Sequence, residues 1–331
     1  MSAPSRPNPD ELATFRRRNA WILWSVLLFS LFVNILMLTG PLYMLQVYER
    51  VLGSGSEETL LALSILVAFL FAMMGLLDFA RARIAARYGA RLQDAFDGRV
   101  FRAALTRAQR TGQAQTALGD LASVQRLTAS PVFMAIFDLP FTPLFIFAIF
   151  TFHQWLGWLA LGGAMLLILI TLLNRGATTA PLAEAADTGR MADRMAGEMQ
   201  SQSETIRSLG MQGAAFSRWH QQRQRALDVS VRAADRVGGF STLSKTLRLF
   251  LQSAILGVAA LLVLRGELRA GAMIAGSILM GRALAPVDLA IGQWSMISDA
   301  TRGWSRLQAL LVDEPNEMQR TTLPRPAAVL D

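Results

Sequence analysis

Long stretches without a single charge alternate with long stretches of mixed charge. Asn19 to Tyr48 holds 30 uncharged residues, Thr59 to Leu77 holds 19, Leu139 to Asn174 holds 36 and Leu249 to Leu264 holds 16. About 20 apolar residues at about 1.5 Å each cross a hydrocarbon core about 30 Å thick. The first two stretches each predict one membrane-spanning helix. The third is interrupted by the polar run Thr151-Phe-His-Gln-Trp155 and splits into two. The last predicts a fifth. A sixth span is read over Ala270 to Leu289, which is apolar and small-residue rich but carries Arg282 and Asp288. Its small residues recur four apart, at Gly271/Ala275, Ala272/Gly276 and Ser277/Gly281. That spacing lets helices approach closely in lipid. The spans fall near 21–45, 59–80, 131–151, 156–174, 246–264 and 270–290. The first apolar run is too long for a signal-peptide core, and no small-residue cleavage site follows it.

The charged stretches are helical too. Ile84, Tyr88, Leu92, Phe96 and Val100 recur every four residues, with Arg83, Arg87 and Arg91 on a neighbouring face. Met191, Met195 and Met199 form a second such stripe. Both read as seams between packed helices. The stretches 81–130 and 175–245 are therefore expected to be out-and-back helical arms of about 35–55 Å. Gly112 and Gly210 stand where each would turn. The expectation is an all-α membrane protein: six transmembrane helices with two long cytoplasmic helical extensions. A tail over 1–20 precedes a membrane domain over 21–312. The Pro-rich stretch 313–331 reads as a linker towards a further domain.

Charge fixes the orientation. Of 32 Lys and Arg, 28 lie before span one, between spans two and three, between four and five, or after six. By the positive-inside rule those segments and both termini face the cytoplasm. The net charge of +8 is not a nucleic-acid footprint, because the arginines are interspersed with acids and have no aromatic stacking platform between them. Mean hydropathy is +0.35 and only 17% of residues are charged, which excludes an ordinary soluble domain. There is no cysteine, and two histidines are too few for a His-built metal site. No GxxxxGK[ST] phosphate loop, GxGxxG or HExxH occurs, so the chain predicts no nucleotide hydrolysis of its own and no cofactor.

Four stretches carry a resemblance: Gly40 to Leu52 (GPLYMLQVYERVL), Phe137 to Pro143 (FDLPFTP) with Phe152-His153 and Leu156-Gly157, Ile206 to Met211 (IRSLGM) with Trp219, and Gly271 to Trp294. Over about residues 21–311 the sequence resembles the transmembrane part of ATP-binding-cassette (ABC) exporters of type I secretion, the type 1 exporter fold. The resemblance implies an inner-membrane homodimer, with each half served by a cytoplasmic ATPase domain that binds ATP and Mg. It also implies a periplasmic membrane-fusion adaptor, an outer-membrane channel and an unfolded secreted protein as substrate. A lipid or drug exporter half remains an alternative, as does a non-transporting membrane scaffold or receptor.

In such exporters the arm tips dock on the ATPase. By position these are Gly112, Gln113 and Thr116 in the first arm and Gly210, Met211 and Gln212 in the second; ordinary solvated turns fit the same residues. Candidates for the translocation path are Arg282, Asp138, Pro286 and Asn34. Arg282 lies about 18 Å into span six, where an ionisable group faces a bundle interior or a wet cavity. Pro286 cannot donate to the Arg282 carbonyl, so a kink is expected. Asp138, between Pro131 and Pro140, is read as a partner for Arg282. A structural pair, or snorkelling to the interface, fits these two equally. Asn34 suits a helix–helix hydrogen bond.

Overall fold

The computed structural model describes residues 11–111 and 117–314, and these are almost wholly helical, with no strand among them. In chain order the helices are α1 (Glu11–Arg18), α2 (Ala20–Leu36), α3 (Thr39–Gln46) with a π-helical turn at Val47–Val51, α4 (Leu52–Ser54) and α5 (Glu57–Thr111). Then follow α6 (Ala117–Thr128), α7 (Pro131–Asp138), α8 (Thr142–Phe152), α9 (Gln154–Ser201), α10 (Ser203–Ser208), α11 (Gln212–Leu264), α12 (Ala270–Gly292) and α13 (Trp294–Asp313).

Six helical stretches among the described residues are long and apolar enough to cross a membrane: Ala20–Ser54, Glu57–Arg110, Pro131–Phe152, Gln154–Ser201, Gln212–Leu264 and Ala270–Gly292. Each contains one expected span. The break inside the 36-residue apolar run falls at His153, whose extended backbone (φ −163°, ψ 141°) ends α8. Its Nδ1 then accepts from the Trp155 N–H at 3.2 Å, capping α9. Gly55 and Gly266, both with positive φ, make the other two short connections at the same end of the bundle.

Spans three to six share one core, centred on Phe145, Ile149, Leu156, Leu167, Ile255, Met280 and Leu284. Lipid tails are as apolar as these side chains, so close packing rather than water exclusion selects the arrangement. Gly163 marks a close approach of three helices: a Cβ there would sit 2.8 Å from Leu251 Cδ1 and 2.9 Å from Met280 Cε. The expected small-residue faces of span six are used as well. Gly271 lies against the Leu45 backbone, and Ala272, Ala275 and Gly276 are buried.

At the other end α5, α9 and α11 continue from span to arm without a break, whereas the return limb of the first arm, α6, is separated from α7 at Ala129–Ser130. Helix α5 runs 55 residues from Glu57 to Thr111, and the stripe Tyr88, Leu92, Phe96 and Val100 is buried in the seam as expected. The methionine stripe is buried only in part: Met191 is 54% exposed, Met195 and Met199 are half-buried, and the fully buried residues of α9 and α11 beside them are Ala192, Ala226 and Ala233. Side chains this small bring the helices close together, and the longer methionines cover the flank of the contact.

Two elements have no counterpart in the expected spans and arms. Within the tail over 1–20, Glu11–Arg18 forms α1, which buries Leu12 and packs Phe15 on Phe96 with ring centroids 5.6 Å apart. After span six, α13 lays Leu307, Leu310 and Leu311 on the first arm. Gly303 permits this, since a Cβ there would be 2.9 Å from the Asp120 carbonyl oxygen. The linker read over 313–331 lies outside the described residues from 315 onward.

Candidate functional site

Ser30 and Asn34 are one turn apart on α2 and both are buried. In an apolar surround each polar atom needs a partner, because leaving one unpaired costs about 1–3 kcal/mol. The Asn34 amide donates to the Ser30 carbonyl and to Asp138 Oδ1, both at 2.8 Å. Asp138 ends α7, where Pro140 stops the regular ladder and turns the chain through a 3-10 stretch, Leu139–Phe141. From α5, Arg81 reaches the same carboxylate with its fork: Nη1 to Oδ1 at 2.6 Å and Nη2 to Oδ2 at 3.2 Å. Its Nη1 also donates to Ser30 Oγ at 2.8 Å, and its Nε to Asp78 Oδ1, one turn back, at 2.7 Å. Spans one, two and three are thus joined by one polar knot with Arg81, 4% exposed, at its centre.

Beside the knot lies a cavity of ≈ 380 Å³ between α2, α5, α7 and α12. Asn34, Asp138, Arg282 and Pro286, from three regions far apart in sequence, all line it. The expected pair of Arg282 with Asp138 is not formed. Asp138 is saturated by Arg81 and Asn34, which reach it from adjacent helices, whereas Arg282 has no ion pair or hydrogen bond among the described residues. Pro286 does not divide span six: α12 runs through it from Ala270 to Gly292. The other charge in span six, Asp288, is matched by Arg248 Nε at 3.1 Å and Ser244 Oγ at 3.0 Å.

Sequence reasoning missed Ser30, Asp78 and Arg81 as members of this site, counting Arg81 only as a flanking positive charge. The signal was local. Asp78 and Arg81 stand three apart at the end of a 19-residue uncharged run, and Ser30 and Asn34 stand four apart inside another.

A second polar cluster holds the half of the first arm farther from the spans. Arg99 donates to the carbonyls of Leu311 (3.3 Å) and Glu314 (2.5 Å) and pairs with Glu11 at 3.3 Å, tying α1 and α13 to α5. Arg306 of α13 grips both Asp120 oxygens, at 2.8 and 2.5 Å. That hydrogen bonding, opposed by burial, holds the Arg306 guanidinium pKa above its usual range. Arg107–Asp313 (3.1 Å) and Arg110–Glu314 (3.0 Å) extend the same contact.

The second arm turns at Gly210 (φ 64°). The Gly210 N–H bonds the Arg207 carbonyl and the Met211 N–H bonds the Ile206 carbonyl, the helix-ending pattern that favours a left-handed glycine. Gln212 opens α11. Leu209, Met211 and Phe216 stand exposed around the turn, and Phe216 stacks on His220 with ring centroids 5.4 Å apart. The first-arm candidates Gly112, Gln113 and Thr116 lie outside the described residues.

Comparison with known proteins agrees with this architecture. Residues 23–286 match the family described as ABC transporter transmembrane region. A curated relative, the type I secretion system ATP-binding protein PrsD of Rhizobium meliloti (strain 1021), is 36% identical over 329 residues, which cover 98% of this chain and 56% of that protein. The chain therefore spans about half the length of the relative it matches.

Proposed function

Because the chain belongs to the ABC transporter transmembrane family, we propose that it is the membrane part of an ATP-driven exporter for type I secretion, moving an unfolded protein out of the cytoplasm. The observation that carries this reading is the 36% identity to a type I secretion protein across 98% of the chain, spans and arms alike. The continuous helices α5, α9 and α11 and the cavity at their membrane end support it. The working unit is a homodimer in the bacterial inner membrane. Both arms and both termini face the cytoplasm, a placement supported by the distribution of 28 of 32 basic residues. A cytoplasmic ATPase domain docks on the arm tips at Gly210, Met211 and Gln212, and at Gly112, Gln113 and Thr116. The residues of this chain do not fit ATP or Mg. No phosphate loop is present, and no cluster of three His, Asp or Glu among the described residues could hold a metal. Nucleotide and Mg therefore belong to the ATPase domain, which supplies the hydrolytic chemistry.

This chain's own work is mechanical and electrostatic. Rigid helices carry a displacement at the tips into the spans, because α5, α9 and α11 each belong to both regions. The cavity lined by Asn34, Asp138, Arg282 and Pro286 is one half of the path, and the Arg81–Asp138 knot fixes spans one to three as a block beside it. On the far side a periplasmic adaptor and an outer-membrane channel receive the substrate.

Deleting the gene and comparing the secreted proteins of mutant and parent tests the reading. Loss of one or a few exported proteins, restored by the intact gene, is expected. An unchanged secretome with altered lipid or drug efflux would replace it with the alternative exporter reading.

A further inference from the structure

Arg282 differs from the other cations in the spans. Where the fold uses a charge to hold helices together, it supplies the opposite charge: Arg81 meets Asp78 and Asp138, and Arg248 meets Asp288 on the same helix as Arg282. Arg282, six residues before Asp288, has no ion pair or hydrogen bond among the described residues, yet it lines the cavity. An arginine at this depth costs a few kcal/mol on insertion scales, about 2.5–3.5. The carboxylates nearest to hand, Asp78 and Asp138, are both committed to Arg81. The rest of the lining is apolar or neutral, with Met37, Met134, Ala285, Pro286 and Leu289 among it. The cavity thus offers one uncommitted positive charge on a largely uncharged wall.

We propose that Arg282 sets the charge preference of the path, drawing the acidic side chains of a translocating polypeptide into the cavity and disfavouring lysine and arginine. This rests on the protein-exporter reading and adds to it the class of segment the path accepts. An Asp or Glu in transit gives Arg282 its counter-ion. A basic side chain meets like charge at Arg282, while the carboxylates of Asp78 and Asp138 are held by Arg81. Contact must be transient, and a single cation reached by one carboxylate at a time, unlike the multiply bonded Arg81, allows release.

The lack of native cysteine makes a direct test available. Ala285 lines the cavity and is exposed. The intact exporter with its ATPase, carrying Ala285→Cys and with any cysteine of the ATPase domain replaced by serine, is placed in nanodiscs. It is then labelled with three unstructured 20-residue Gly/Ser peptides bearing a thiol-reactive end group and four Glu, four Gln or four Lys. Labelling rates are expected to fall in the order Glu, Gln, Lys. Each step is about fivefold, the effect of unit charges about 4 Å apart in water, and shrinks as salt is raised. Adding Arg282→Gln is expected to level the three rates, and Arg282→Glu to reverse the order. Equal rates in the Arg282 protein, or the same order kept in Arg282→Gln, would overturn the charge preference and leave the exporter reading standing. Labelling by a small maleimide but by none of the peptides would overturn both, since no polypeptide then reaches the cavity.

Discussion

Arg81 and Asp138, 57 residues apart in sequence, meet through two hydrogen bonds of 2.6 and 3.2 Å. One end of the pair belongs to the helix that becomes the first arm, the other to the end of α7. A buried ion pair is weak evidence of net stabilisation, but breaking one from a single side is costly, about 3–5 kcal/mol, because a charge is left uncompensated. Asp138→Ala and Arg81→Ala should each lower the thermal midpoint of the purified protein in detergent by several degrees. The double change Arg81→Met with Asp138→Leu should recover much of that loss. Single variants as stable as the parent would remove the knot from any structural account.

Gly163 sits where α9, α11 and α12 converge. A leucine there would enter space already held by Leu251 and Met280. Overpacking of this kind costs about 1–3 kcal/mol. Gly163→Leu should reduce folded yield, whereas Gly162→Leu next to it, where a Cβ meets nothing within 4 Å, should not. Equal yields would show the span core to be looser than drawn.

The clasp of α13 on the first arm depends on Arg306 and Asp120. Arg306 is partly exposed, so screening limits its net worth to about 1 kcal/mol. Arg306→Ala should speed proteolytic cleavage around Trp294 while leaving the span core protected. Unchanged cleavage kinetics would mean that the leucines of α13 hold it alone.

At the second arm tip, Gly210→Val forces a branched side chain into a left-handed backbone, and Met211→Asp places a charge in an exposed apolar group. With the tip docked on an ATPase, either change should cut secretion tenfold or more while ATP hydrolysis persists. Full secretion from Met211→Asp would return the tip to an ordinary solvated turn.

Orientation is open to labelling. Single cysteines at Ser54, beside a short connection, and at Gly213, beside the second arm tip, should react with impermeant reagents from opposite faces: Ser54 from the periplasm, Gly213 only after lysis. The reverse pattern would invert the topology.

What could be read from the sequence followed from periodicity and cost. Six apolar runs must be helical in lipid because no water satisfies their backbone, so span number and position were already legible. The Tyr88–Val100 stripe was legible for the same reason, since large side chains announce a buried face. The seam between α9 and α11 was not, because alanine carries little hydrophobic signal and the conspicuous methionines lie beside it. Helix α13 was hidden by its even mix of polar and apolar residues, with no uncharged run to mark it. At the site, Asn34, Asp138, Arg282 and Pro286 stood out singly as anomalies in apolar surroundings. Which of them meet depends on how helices over 50 residues apart lie against each other. Arg81 escaped because a cation at a span end has an ordinary explanation.

Helix α5 has one further consequence. It runs unbroken from Glu57 to Thr111, and its only deeply buried tether to neighbouring spans, Arg81, stands about 36 Å from one end and about 45 Å from the other. A rod held near its middle behaves as a see-saw with that arginine as fulcrum. Tilting it by about 10° swings the two ends in opposite senses by about 6 and 8 Å, so a sideways push at the tip closes on one face of the bilayer what it opens on the other.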